Sequence, residues 1–217
     1  MKKLVLTMMA IALVQISMAQ APDKSTPEVS VVFGLTQPLF TNGFNFEVDI
    51  WWDKWMVDYS HGFGLEFTGA NVYQEAADQR LAFNITHSTG IGIGYRFTKN
   101  FNLRVEPKWH NWEMYYDDAF KTTEGKIEQY STFTLGLGAY YRWTPFENQD
   151  NALKGITIAP NVRWWPNIGS SLDNNELQYF NQRTEQMNVH QANNIGMGNT
   201  PFFVNVSVGY TFGMGMK

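Results

Sequence analysis

From Phe44 the chain alternates apolar and polar side chains almost without error. Phe44, Phe46, Val48, Ile50 and Trp52 share one parity, and Asn45, Glu47, Asp49, Trp51 and Asp53 share the other. Period two is the spacing of a β-strand whose two faces meet unlike surroundings. The segment from Phe202 repeats it, with Val204, Val206, Val208, Tyr210 and Phe212 on one side and Phe203, Asn205, Ser207, Gly209 and Thr211 on the other. Similar runs predict eight strands, at roughly 28–36, 43–53, 59–69, 83–97, 101–112, 128–143, 155–165 and 201–213. Most reach the roughly nine to eleven residues that a tilted strand needs to cross a bilayer, and soluble strands are usually shorter.

The connections alternate in length. Lys99-Asn100 is a tight hairpin between the fourth and fifth strands, whereas about fifteen residues separate the fifth and sixth and some 35 polar residues separate the last two. In a membrane barrel with both termini on the periplasmic side, the second, fourth and sixth connections are the short ones. The fourth fits that rule best. The sixth, Pro145 to Lys154, is longer than ideal, and the second is blurred between Trp55 and Gly62.

Alternation does not say which parity faces inward, because a soluble lipocalin-type barrel and a membrane barrel share the pattern. The size of the side chains on the polar parity separates them. Gly90, Gly92 and Gly94, and then Gly136 and Gly138, occupy that parity. Glycine weakens a solvated strand, but a narrow lumen needs small residues beside large ones. Trp52, Phe97, Phe101, Tyr141, Trp143, Trp164, Tyr210 and Phe212 fall on the apolar parity near strand ends, where interfacial girdles lie. These features predict an all-β fold, an eight-stranded antiparallel up-and-down transmembrane β-barrel.

Composition narrows the compartment. Met1-Lys2-Lys3, the apolar run Leu4 to Ile16 and Ser17-Met18-Ala19 have the form of a secretory signal peptide, so residues 1–19 are expected to be removed and 20–217 to form one outer-membrane barrel domain. Losing Lys2 and Lys3 takes the formal charge from −4 to −6, which disfavours nucleic acid as a partner. Cysteine is absent, excluding disulfide scaffolds, zinc ribbons and thiol catalysis. With a mean hydropathy of −0.31 the chain is no bundle of membrane helices.

The run GIGIGYRFTKNFNLRVEPKW, residues 90–109, resembles the strand, tight turn and strand unit of the small OmpA-type outer-membrane β-barrel family, and VNVSVGYTF, residues 204–212, resembles that family's closing strand. The resemblance implies an outer-membrane location in a Gram-negative-type envelope. The partners it implies are membrane lipid, lipopolysaccharide and the barrel-assembly machinery. It identifies an architecture and no activity.

Chemistry is sought on the inward parity, which carries Glu47, Asp49, Glu66, Arg96, Arg104, Glu106, Lys108, Arg142 and Arg163. Buried charges are costly unless paired and hydrogen-bonded, so four acids and five bases predict a mixed-sign lattice across the lumen. The expected role is structural or surface-interacting, with at most a narrow gated conductance and no enzyme chemistry. One alternative is a lipid-modifying hydrolase resembling the lipid A deacylases, with Ser60-His61 and His87-Ser88 as the tempting pairs. Adjacent strand residues face opposite ways, so neither dipeptide makes its own nucleophile and base. The other alternative is a soluble lipocalin-like barrel. No cofactor or metal is expected: GIGIG lacks the spacing of a dinucleotide loop, and Asp117, Asp118 and Glu124 lack a calcium-loop spacing. The Asn- and Gln-rich segment 167–200 is read as a long external loop, disordered or a recognition surface for an unidentified ligand, with room for a short helix over 174–182.

Overall fold

The computed structural model describes residues 27–69 and 72–213; the expected signal peptide lies outside them. Eight strands form the wall: β1 (Glu28–Gly34), β2 (Phe44–Trp52), β3 (Trp55–Phe67), β4 (Leu81–Arg96), β5 (Phe101–Tyr116), β6 (Lys126–Tyr141), β7 (Ile156–Trp164) and, last in the chain, β11 (Phe202–Phe212). Each pairs antiparallel with its neighbours in sequence, and β1 pairs with β11 to close the cylinder. Closure pairs the wall strands around most of the cylinder, as strands in a bilayer require. β7 meets β6 at only four positions. Trp165 and Pro166 then interrupt the strand, since proline cannot donate to the ladder, and β8 (Asn167–Ser170) resumes pairing against β6.

Both described ends of the chain and the second, fourth and sixth connections share one end, here the turn end. The second is a two-residue turn, Asp53-Lys54, with Asp53 at φ 47°. β3 therefore starts at Trp55, four residues before the predicted 59, because the alternation runs straight through Trp55, Val57 and Tyr59. The opposite, loop end carries α1 (Thr36–Phe40), α2 (Gln74–Asp78) and the long segment before β11. That segment is ordered. Where the sequence left room for a short helix over 174–182, the chain forms a hairpin of β9 (Glu176–Asn181) and β10 (Gln186–Gln191), with one short 3₁₀ turn, Asp173–Asn175, ahead of it. The Asn181 side chain accepts from the Arg183 and Thr184 amides at 2.9 and 3.3 Å, which fixes the hairpin turn.

The apolar parity faces outward. Ile93, Leu137, Val105 and Val162 are about half exposed, whereas Glu47, Arg104, Glu106 and Arg163 are buried. Trp52, Trp55, Phe97, Tyr141, Trp143 and Phe212 form a belt at the turn end, and Phe44, Phe63, Trp109, Trp164 and Phe202 form a second belt nearer the loop end. Water-soluble proteins are arranged the other way round, and this surface is that of a transmembrane barrel.

One irregularity sets the height of the polar core. Gly64 in β3 has φ +64°, and Thr86 stands opposite it in β4, where the pairing with β5 slips by one residue. Below this level odd-numbered residues of both strands face outward. Above it, Leu65, Phe83 and Ile85 are buried inside. A bulge inserts one residue and reverses the facing of everything beyond it.

Candidate functional site

The lumen has two storeys. The lower is a charged lattice whose centre is Arg104 on β5. Asp49 on β2 and Asp58 on β3 are direct cross-strand partners, a placement that repels unless a cation intervenes. Arg104 Nη1 donates to Glu47 Oε1 at 2.5 Å, Asp49 Oδ1 at 3.0 Å and Asp58 Oδ2 at 3.4 Å. Arg163 Nη2 reaches Glu47 Oε2 at 3.2 Å. The Tyr140 hydroxyl donates to Glu106 at 2.7 Å, the Trp165 indole N–H donates to the same carboxylate at 3.3 Å, and Lys108 lies 3.9 Å away. The Arg104 guanidinium also sits 3.7 Å from the centre of the Tyr140 ring. At the turn end, Arg96 and Arg142 pair with Glu28 at 3.5 and 2.7 Å, and Arg142 lies over Trp51.

Eight of the nine expected lumen residues are therefore brought together. Glu66 is the exception. The left-handed backbone at Gly64 turns it out of the lumen, where Asn42 donates to it at 3.1 Å and Lys121 pairs with it. Asp58 and Glu28 take its place, so the lattice holds five acids (Glu28, Glu47, Asp49, Asp58, Glu106) and five bases (Arg96, Arg104, Lys108, Arg142, Arg163). Asp58 was legible only with the true start of β3, whose parity places it beside Ser60. The glycines fit the space argument: a Cβ on Gly92 would lie 2.1 Å from Asp58 Oδ2, and one on Gly90 would lie 2.2 Å from Lys108 Cγ.

Sequence reasoning missed a hydroxyl and imidazole contact inside the wall. Ser88 Oγ lies 2.8 Å from His110 Nδ1, and His110 Nε2 lies 3.0 Å from Thr134 Oγ1. The signal was present, since His110 shares the parity of Lys108, and Ser88 that of Gly90. Both imidazole nitrogens end on hydroxyls, and the ring is fully enclosed. The arrangement ties β4, β5 and β6 together; a nucleophile and base pair would need a carboxylate behind the ring and an approach for substrate. His61 and His87 face outward with ring centres 5.8 Å apart, His61 bonded to Thr89 at 2.7 Å.

The upper storey is aromatic. Phe67, Phe83, Trp112, Phe203 and Tyr73 surround a cavity of about 460 Å³ at the loop end. A second cavity of about 30 Å³ below it reaches Lys108 and Arg163. Behind the larger one, His190 of β10 stacks on Phe83 with centroids 5.2 Å apart, and its Nε2–H donates to Asn193 Oδ1 at 2.9 Å. The Tyr73 hydroxyl donates to the same oxygen at 3.2 Å. Burial holds the His190 imidazole below its ordinary pKa and raises that of the Tyr73 phenol. The hairpin is fastened to the barrel by the Tyr116 hydroxyl donating to the Phe180 carbonyl at 2.7 Å and by Arg183 donating to the Asp78 carbonyl at 2.8 Å.

No family model matches the chain, and no curated protein matches it. Among solved structures it is similar to Ail, the attachment invasion locus protein of Yersinia pestis. The match is at 11% identity in each of two crystal structures, over 86% of this chain and 97% of that one. The TM-score is 0.38 for Ail alone and 0.37 for Ail in complex with the heparin analogue sucrose octasulfate.

Proposed function

We propose that this protein is an outer-membrane barrel, exported through cleavage of residues 1–19, that holds a folded surface above the membrane for a structural or interaction role. The inverted burial carries the reading. A continuous apolar exterior between two aromatic belts belongs in lipid, and the paired charges inside, packed against Trp51 and Tyr140, brace the wall. Lipid and lipopolysaccharide then meet the outside, and the assembly machinery for such barrels inserts it. The lattice around Arg104 fills the bore at mid-height, which supports a narrow gated conductance at most. The hairpin supports the surface role: it is tied down on one side, while Phe180, Met187 and Val189 stand exposed together on the other.

The absence of cysteine allows a clean test. Thr184→Cys places one thiol at the exposed hairpin turn. It is expected to react with a membrane-impermeant maleimide on intact cells, and the protein should leave the membrane pellet only with detergent. Release without detergent, or a thiol that reacts only after lysis, would overturn the proposal.

A further inference from the structure

The barrel wall is incomplete at one seam near the loop end. β1 stops at Gly34, paired with Ser207, whereas β11 runs on to Phe202. Over Phe202–Val206 the strand β11 has β7 on one side and, on the other, only the chain entering α1. The ties there are the Leu35 amide to the Val206 carbonyl at 2.9 Å, the Thr36 amide to Asn205 Oδ1 at 3.2 Å and the Thr36 hydroxyl to the Val204 carbonyl at 3.3 Å. Two of the three involve a side chain in place of a strand.

The large cavity lies against this seam. Phe203, on the inward parity of β11, lines it, and so does Val204, on the outward parity; Phe40 of α1 completes that side. With Val204 and the exposed Phe40 both in its lining, the space reaches the seam between β11 and α1. Its outer lip is greasy, with Leu39, Phe40, Phe202 and Val204 all exposed, and Val204 sits one pleat to the membrane side of the belt residue Phe202. Inside are Phe67, Phe83, Trp112 and Ile195, and Asn193, Asn194 and Asn199 offer uncharged polar groups at the loop side. The volume falls in the range of about 300–1,000 Å³ typical of small-molecule sites, and an apolar interior with a few amide groups at one edge is their usual chemistry.

The geometry points to a binding site for the hydrocarbon tail of an amphiphile, entering sideways between α1 and the loop end of β11, with its head at the asparagine edge. The tail is a bilayer acyl chain or that of a free amphiphile carried in the membrane. The inference rests on the proposed membrane setting and goes beyond it, since a sealed barrel would serve that role equally well.

Nuclear Overhauser contacts from the full chain in phosphatidylcholine nanodiscs test it. The reporters are the Trp112 ring and the Ile195 methyl in the cavity, with the Ile93 and Leu137 methyls as outward controls. Cavity contacts with protonated acyl chains assign the site to bilayer lipid. Contacts that appear only when protonated dodecan-1-ol is added to chain-deuterated lipid assign it to free amphiphiles. Controls that touch lipid while Trp112 and Ile195 touch neither probe would overturn the site and leave the membrane setting intact; silent controls would overturn both. Val204→Trp plugs the seam, and its folding is read from the retained control contacts. The cavity contacts should then vanish, and their persistence would overturn sideways entry.

Discussion

The Trp165 indole occupies the space that a side chain on Gly136 would need: a Cβ there would lie 1.5 Å from Trp165 Cδ1. That indole bonds to Glu106 and lies within 4.3 Å of Lys108 and 4.7 Å of Arg163, so the glycine holds open the point where the charged and aromatic storeys meet. Gly136→Ala is expected to cost about 1–3 kcal/mol, as overpacking does. Trp165→Ala should cost about 3–5 kcal/mol through the cavity it leaves. In the double variant the added methyl has room, so its cost should fall well below that in the single one; urea unfolding in micelles measures all three.

Arg104 is the shared partner of three carboxylates. Arg104→Met should cost about 3–5 kcal/mol, the penalty of leaving buried charge uncompensated. Adding Asp49→Asn and Asp58→Asn to it should recover part of that loss. A double-mutant cycle between Arg104 and Asp49 would show coupling, and additive losses would mean that the lattice does not act as a unit.

The hairpin should loosen in acid. Burial holds the His190 pKa below that of the unfolded chain, so the folded form favours the neutral ring. The stabilisation is whole above about pH 6.5, the ordinary imidazole value. It declines as pH falls from there to the lowered value, below which the loss is complete. Protease cleavage in the 182–185 turn should accelerate over that interval, and His190→Gln should flatten the dependence.

Gly64 adopts a left-handed conformation with open space where a Cβ would point, so backbone strain alone opposes a side chain. Gly64→Ala should lower stability by about 1 kcal/mol and Gly64→Asn by less, because asparagine tolerates this region. Equal losses for both would place the cost elsewhere.

Alternation along the chain determined the eight wall strands, because a two-residue period is a local property of the backbone; the alternating loop lengths pointed to their antiparallel order, and the polar-parity glycines and strand-end aromatics to the inward parity of Glu47, Arg104 and Arg163. Glycine on the polar parity likewise announced side chains crossing a narrow bore, and Asp58 over Gly92 and Trp165 over Gly136 are those crossings. What the local pattern could not carry was a break in phase. One positive φ at Gly64 and one slipped residue at Thr86 reverse facing in the stretch between them, sending Glu66 out to Lys121 and drawing Phe83 and Ile85 into the interior. Contacts between distant segments were equally out of reach: β10 against Phe83 and the early stop of β1 beside β11 depend on register and closure. These are set by packing among segments far apart in the chain, so only the closed barrel decided them.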